Sequence, residues 1–178
     1  MTIRIPDLAR EESDAPFLRS NSDGRTARLS VLRRYIGFVA VANLIWEMGQ
    51  VPLYTIWAEE TLGKIAFAVI HCTGGDMLIA SSALLGALVV AGDGRWPNAR
   101  FRTVAAIAVF GGLAYTILSE WLNTEIRGNW AYAEWMPTLP FIGSGLAPFL
   151  QWLVVPPAAF WWAKLGTRPV KPIGRALT

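Results

Sequence analysis

Four stretches of the chain are almost unbroken apolar sequence, and the polar residues gather before and between them. The stretches cover residues 35–57, 62–90, 101–122 and 139–165. Each reaches the roughly 20 residues a helix needs to cross a hydrocarbon core about 30 Å thick. The pattern predicts an all-α fold: a polytopic membrane protein with four transmembrane helices in a bundle and both termini cytoplasmic. Residues 31–165 form this domain, residues 1–30 a disordered cytoplasmic tail, and residues 166–178 a short basic cytoplasmic tail. Residues 27–34 are also compatible with a short surface helix, although their apolar face is small.

Local breakers refine the spans. Pro52 is expected to kink the first near its end. The second is longer than a span requires, which predicts tilt or a break at Gly74-Gly75. Gly92-Asp93-Gly94 marks the turn after it. Pro148 and Pro156-Pro157 are expected to interrupt the fourth span, with residues 141–145 as a non-helical lead-in. Residues 123–136 are polar and aromatic, and are expected on the membrane surface. Residues 1–34 lack the apolar core of a cleavable signal, so the first span is expected to serve as an uncleaved anchor.

Charge then sets the orientation. The chain has 16 Lys and Arg, and 14 of them fall on the side of the termini and the middle loop. Only Lys64 and Arg127 lie opposite. Basic residues favour the cytoplasmic side, so both termini are expected there. The same bias accounts for the net charge of +3 and pI near 9.4 without a nucleic-acid partner. Trp57, Trp121, Trp130 and Trp135 fall near the outer interface, and Trp96, Trp161 and Trp162 near the inner one, as aromatic belts do. Charged residues make up 16% of the chain, against about 25% in ordinary soluble domains. The single cysteine, Cys72, excludes an intramolecular disulfide.

Against this apolar background, four ionisable residues stand out. Glu47, Asp76 and Glu120 lie on three different spans, and His71 is the chain's one histidine. Ionisable groups at membrane depth are costly and usually face a partner, a cavity or a substrate path. At about 1.5 Å per residue, Glu47 lies roughly 18 Å into the core, and Asp76 reaches a similar level from the other side. His71 and Glu120 are shallower.

Spacing places these groups on faces. Asn43, Glu47, Gln50 and Tyr54 form one stripe at helical intervals, as do Gly112, Thr116, Glu120 and Asn123. Cys72 and Asp76 share a face one turn apart. His71 is about 140° from Asp76 in a regular helix, so both point inward only if Gly74-Gly75 distorts the turn. Gln151 and Trp152 sit at mid-depth, and Trp46 and Trp152 are too deep for the interfacial belts. Asp76, Glu47, His71 and Glu120 are therefore the candidate catalytic residues. Trp46, Gln50, Tyr54, Cys72, Asn123, Gln151 and Trp152 are the candidate ligand-binding ones.

Each feature also has a structural reading. The acids could hold the bundle by interhelical hydrogen bonds. His71 could be a packing residue, Cys72 a small hydrophobe, Glu120 an interfacial charge and Gly74-Gly75 a site of close helix contact. No Walker A, GxGxxG, HExxH or GxSxG motif occurs. No metal site is assigned: a mixed set of His71, Cys72, Asp76 and Glu47 or Glu120 suits zinc chemically, but adjacent positions on a helix point apart.

The strings W-E-M-G-Q-V-P-L-Y (46–54), H-C-T-G-G-D (71–76) and S-E-W-L-N (119–123) resemble those of an uncharacterised family of small bacterial four-helix inner-membrane proteins. The resemblance covers the first three spans and the start of the following loop. It implies a bacterial inner membrane and brings no activity.

Three functions fit the residues. The first is acid–base chemistry on a lipid or isoprenoid-like substrate, with Asp76 or Glu47 as the acid, His71 or Glu120 as the base, and Trp46, Trp152 and Tyr54 walling an apolar molecule. The second is a proton-coupled transporter or small-ligand or metal-binding membrane protein; four spans are few for a carrier, which would then require a homo-oligomer. The third is a non-catalytic subunit or assembly factor with a membrane partner. No cofactor is indicated by the sequence.

Overall fold

The computed structural model describes residues 5–166, with side-chain surroundings described from Gly24 onward. Among these residues the chain forms helices α1 (Ile5–Gln50), α2 (Ile56–Glu59), α3 (Leu62–Ala91), α4 (Phe101–Trp121) and α5 (Leu146–Leu165). Two isolated bridges are the only β pairing there. The fold is all-α, and four of its helical stretches are long and apolar enough to cross a membrane: Gly24–Leu53, Leu62–Ala91, Phe101–Ile126 and Leu146–Leu165.

These four close into a ring. α1 packs on α3 and α5, and α4 packs on the same two, so α1 faces α4 diagonally and α3 faces α5. The outer surface is apolar: Phe67, Ile70, Leu78, Val89, Val90 and Phe110 are each more than two-thirds exposed. A water-soluble domain does not expose so much contiguous apolar surface. A helix in lipid does, because the tails are as apolar as the side chains.

Several boundaries differ from the expected ones. The α1 backbone is already helical at Ile5, whereas a disordered tail was expected through residue 30. Val31 and Tyr35 are buried against the bundle, which secures α1 ahead of its most apolar segment. The α1 ladder ends at Gln50 and the first apolar stretch at Leu53, rather than at residue 57, because Pro52 lacks the N–H that would continue the ladder. A 3₁₀ turn over Val51–Leu53 takes its place. The fourth span starts at Leu146 rather than residue 139 and is not interrupted. Pro148 falls in its first turn, where a backbone N–H has no helical partner anyway. Pro156 and Pro157 lie inside a continuous helix, with Pro156 buried. α3 also runs unbroken through Gly74 and Gly75, and a Cβ added at either would meet nothing within 4 Å, so they mark neither a bend nor a close helix contact. The basic tail from residue 167 onward lies outside the described residues.

The two ends of the bundle are built differently. At the end formed by the turn after α3, aromatic rings fill the core: Tyr35 and Phe160 centroids lie 4.5 Å apart, and Phe101 meets Phe160 edge-on at 5.9 Å. Trp96, expected at an interface, is buried in this cluster at 4% exposure. Arg28 donates through Nε to the Trp96 carbonyl at 2.9 Å and through its other arm to the Gly94 carbonyl, which holds the turn against α1. In the same turn, the Arg95 backbone N–H and then its guanidinium hold the Asp93 carboxyl below the usual carboxylate range.

At the other end, the connection between α4 and α5 folds over the bundle. The Thr55 N–H donates to the Ala131 carbonyl at 3.0 Å, and the Ala133 N–H to the Leu53 carbonyl at 2.9 Å, so Tyr54 and Tyr132 form an antiparallel bridge. Trp135 Nε1 donates to the Pro52 carbonyl at 3.0 Å. A second bridge, Thr138 to Gly145, closes the loop on itself before α5 begins. The segment expected merely to lie on the surface is thus a cap bonded to the end of α1.

Candidate functional site: a tiered acidic core

The polar stripes read from the sequence all turn inward. On α1, Asn43, Glu47 and Gln50 are 4%, 7% and 6% exposed, surrounded on the other faces by exposed apolar residues. On α4 and the π-turn that follows it, Gly112, Thr116, Glu120 and Asn123 are buried. Cys72 and Asp76 on α3 are half-buried, and Gln151 and Trp152 on α5 are each 2% exposed.

The central tier is organised by Gln151. Its Nε2 donates to Asp76 Oδ2 at 2.7 Å and lies 3.2 Å from Asn43 Oδ1 and 3.3 Å from Glu47 Oε1. One amide thereby links α5 to α3 and α1. Gln50 Nε2 adds a 2.7 Å bond to the same Glu47 oxygen, and Trp46 Nε1 donates to Gln50 Oε1 at 3.1 Å. The carboxyls of Glu47 and Asp76 are also within hydrogen-bonding reach of each other. Two carboxyls can bond directly only through a proton carried by one of them. The wall of this tier is Trp152, whose ring lies over Gly112; a Cβ at Gly112 would come within 2.0 Å of it.

The second acidic site is under the cap. Tyr132 donates its phenol hydrogen to Glu120 Oε2 at 2.5 Å and accepts the Gly145 backbone N–H at 2.9 Å. Tyr54 stands beside Tyr132, ring centroids 5.4 Å apart, and its phenol reaches the Glu120 carboxyl. Burial, followed by the charge of Glu120, raises both phenols above their ordinary range. Asn123 donates to the Ser119 carbonyl at 2.8 Å and accepts from Asn129 Nδ2 at 2.7 Å, tying the π-turn to the cap.

Of the sequence candidates, Glu47, Asp76, Gln50, Trp46, Gln151 and Trp152 meet in the central tier, and Glu120, Tyr54 and Asn123 meet under the cap. Cys72 stands between them, within electrostatic reach of Glu47, Asp76 and Glu120. His71 does not join either group. α3 stays regular through the glycines, so His71 faces outward and stacks on Phe67, with centroids 5.6 Å apart. Among the described residues no three His, Cys, Asp or Glu side chains are arranged to hold a metal ion, so the mixed zinc set does not assemble. Tyr132 is the site residue the sequence did not reveal. It lies in a loop without periodicity, and only the backbone pairing with residues 53–55 carries it to Glu120. A separate groove of about 360 Å³, lined by Ala114, Ile117, Leu118, Trp121, Phe141 and Ile142, runs along the outside of α4 below the cap.

The fold and the site together define a multi-pass four-helix membrane protein with an acidic core spanning three of its helices. No family model, curated protein or solved structure matches the chain.

Proposed function

We infer that the protein is an intramembrane acid–base enzyme acting on a lipid or isoprenoid-like substrate, seated in a bacterial inner membrane with both termini cytoplasmic. The observation that carries this reading is the contrast between its two acidic sites. The Glu47–Asp76 pair contains a proton donor held in a hydrogen-bonded frame. Glu120, bonded by a phenol, is an acceptor under a cap that keeps bulk water away. Acid–base enzymes separate donor and acceptor in this manner by giving similar groups different surroundings. The apolar groove below the cap, one helical face away from Glu120, offers a berth for a hydrocarbon chain. Isomerisation, hydration or cyclisation of a double bond suits this equipment, with Trp152 and Tyr54 available to face a cationic intermediate.

The test is turnover of labelled isoprenoid and lipid substrates by purified protein in lipid nanodiscs. Asp76→Asn and Glu120→Gln are each expected to lower the rate about 100-fold or more while the protein stays folded. Wild-type protein that turns over none of these substrates would remove the enzymatic reading. A second reading, a proton-coupled carrier, draws on the alignment of Glu120, Cys72 and the Glu47–Asp76 pair along the bundle axis, since acids in series mark proton relays. Proton-gradient-dependent flux in proteoliposomes without chemical change in the solute would favour it.

A further inference from the structure

The two acidic sites are separated by a middle tier whose height follows from contacts. Gly112 lies level with Trp152, next to Gln151, and so with the Glu47–Asp76 pair. Glu120 is two helical turns further along the same face of α4, and Thr116 is midway, about 6 Å from each level. Gln50 on α1 and Cys72 on α3 are each about one turn from the pair, on the same side as Thr116.

Thr116 is 7% exposed, and its Oγ1 is buried without a hydrogen-bond partner. A threonine inside a helix ordinarily returns its hydroxyl to the carbonyl one turn back, as Thr73 does to Val69 at 2.7 Å. Thr124 does the same toward the Glu120 carbonyl at 2.8 Å. Thr116 makes no such bond, although its hydroxyl is buried. A buried hydroxyl left unpaired is unfavourable, and in native proteins such a group is usually met by ordered water or a ligand. Trp130, above it, turns its indole N–H toward Glu120 without reaching hydrogen-bond geometry, and this N–H too is buried and unpaired.

We propose that Thr116 holds internal water that connects Glu120 to the Glu47–Asp76 pair, making the three acids one proton path through the capped half of the bundle. The groups facing this path are Glu47 and Gln50 from α1, Cys72 and Asp76 from α3, Glu120 from α4, Gln151 from α5, and Tyr54 and Tyr132 from the cap. The path carries a proton only: one proton enters at Glu120 as one leaves toward the pair, and no bond to carbon is made or broken. The proposal holds for a catalytic or a transporting protein alike, because it concerns how the pair is recharged.

The experiment is infrared spectroscopy of the wild-type chain in lipid, transferred to D₂O without substrate. The band of the protonated carboxyl is assigned from its loss in Asp76→Asn or Glu47→Gln. Thr116→Val keeps the shape and removes the hydroxyl; it is expected to slow deuterium exchange of that band about tenfold, the effect of losing one hydrogen-bonding station. Thr116→Ser is expected to restore it. Exchange as fast in Thr116→Val as in wild type overturns the proposal. Stability gives a second readout, useful even where the valine variant exchanges poorly for other reasons. Removing a hydroxyl that bonds no water is neutral or stabilising, so a Val variant more stable than wild type also overturns it. A less stable Val variant restored by Ser supports it. Neither readout needs turnover, so the absence of enzymatic activity leaves the result standing.

Discussion

Gln151 Nε2 lies 2.7 Å from Asp76 Oδ2, joining two helices that face each other diagonally across the bundle. The same amide approaches Glu47 and Asn43 at slightly longer range. An amide nitrogen has only two hydrogens, so the short bond to Asp76 takes one and the two α1 acceptors share the other. Gln151→Leu takes this donor from Asp76 and Asn43, while Glu47 keeps its bond from Gln50. The expected loss is about 1–3 kcal/mol of stability, measured by unfolding in mild detergent. Interhelical hydrogen bonds in membranes average only about 0.6 kcal/mol. A loss no larger than that would mean that lipid-side or internal groups replace the amide, and Gln151 would not be the organiser of the tier.

Gly112 should tolerate an added side chain far less well than its neighbour Gly111. A Cβ at Gly112 would lie 2.0 Å from Cζ3 of Trp152, whereas one at Gly111 meets nothing within 4 Å. Trp152 is fully enclosed and cannot swing aside without disturbing Gln151 beside it. Gly112→Ala is expected to cost about 1–3 kcal/mol by overpacking, and Gly111→Ala less than about 0.5 kcal/mol. Gly112→Ala with Trp152→Phe should recover part of the loss. Thermal unfolding of the three variants against wild type checks this.

The same pair of positions shows what the sequence makes legible. Periodicity alone assigns Gly112, Thr116, Glu120 and Asn123 to one buried stripe, because helix geometry repeats regardless of tertiary context. It likewise puts Glu47 and Gln50 inward. What it leaves open is which stripes meet, since that depends on how the helices are ordered around the ring. Nor could it place Tyr132, whose position is set by backbone bonds between two non-helical segments. His71 shows the converse: the expected site residue required a distorted turn at Gly74-Gly75, and in lipid a helix has strong reason to keep its ladder intact. Likewise Pro156 and Pro157 read as interruptions, yet α5 continues through them because its neighbours α1 and α4 hold it on both sides.

His71 therefore provides a sharp negative prediction. It is exposed on the lipid-facing side of α3 and contacts Phe67 by stacking. His71→Ala should change stability by no more than about 0.5 kcal/mol and leave turnover in the labelled-lipid assay within about twofold, a shift of roughly 0.4 kcal/mol in the barrier. A drop of tenfold or more would show that chemistry reaches the lipid face, and the acidic core would then be only part of the site.

The cap should be held through Tyr132 and should respond to alkali. Tyr132 both donates to Glu120 and accepts from the Gly145 N–H, so Tyr132→Phe removes two bonds at once. The expected loss is about 1–3 kcal/mol, concentrated in residues 127–145 and visible there as faster amide hydrogen exchange. Burial, and next the Glu120 charge, keep the Tyr132 proton bound above the pH at which a free phenol loses it. In the unfolded chain that loss occurs near pH 10. Above that pH the unfolded chain binds fewer protons than the folded one, so stability is level below about pH 10 and falls as the pH rises further. Tyr132→Phe should make this alkaline decline shallower without abolishing it, because the Tyr54 phenol is raised as well. An identical alkaline slope in wild type and Tyr132→Phe would show that the phenol is already ionised or already solvated in the folded protein, and the cap would then be held by its backbone pairing with residues 53–55 and by the Trp135–Pro52 and Asn129–Asn123 bonds.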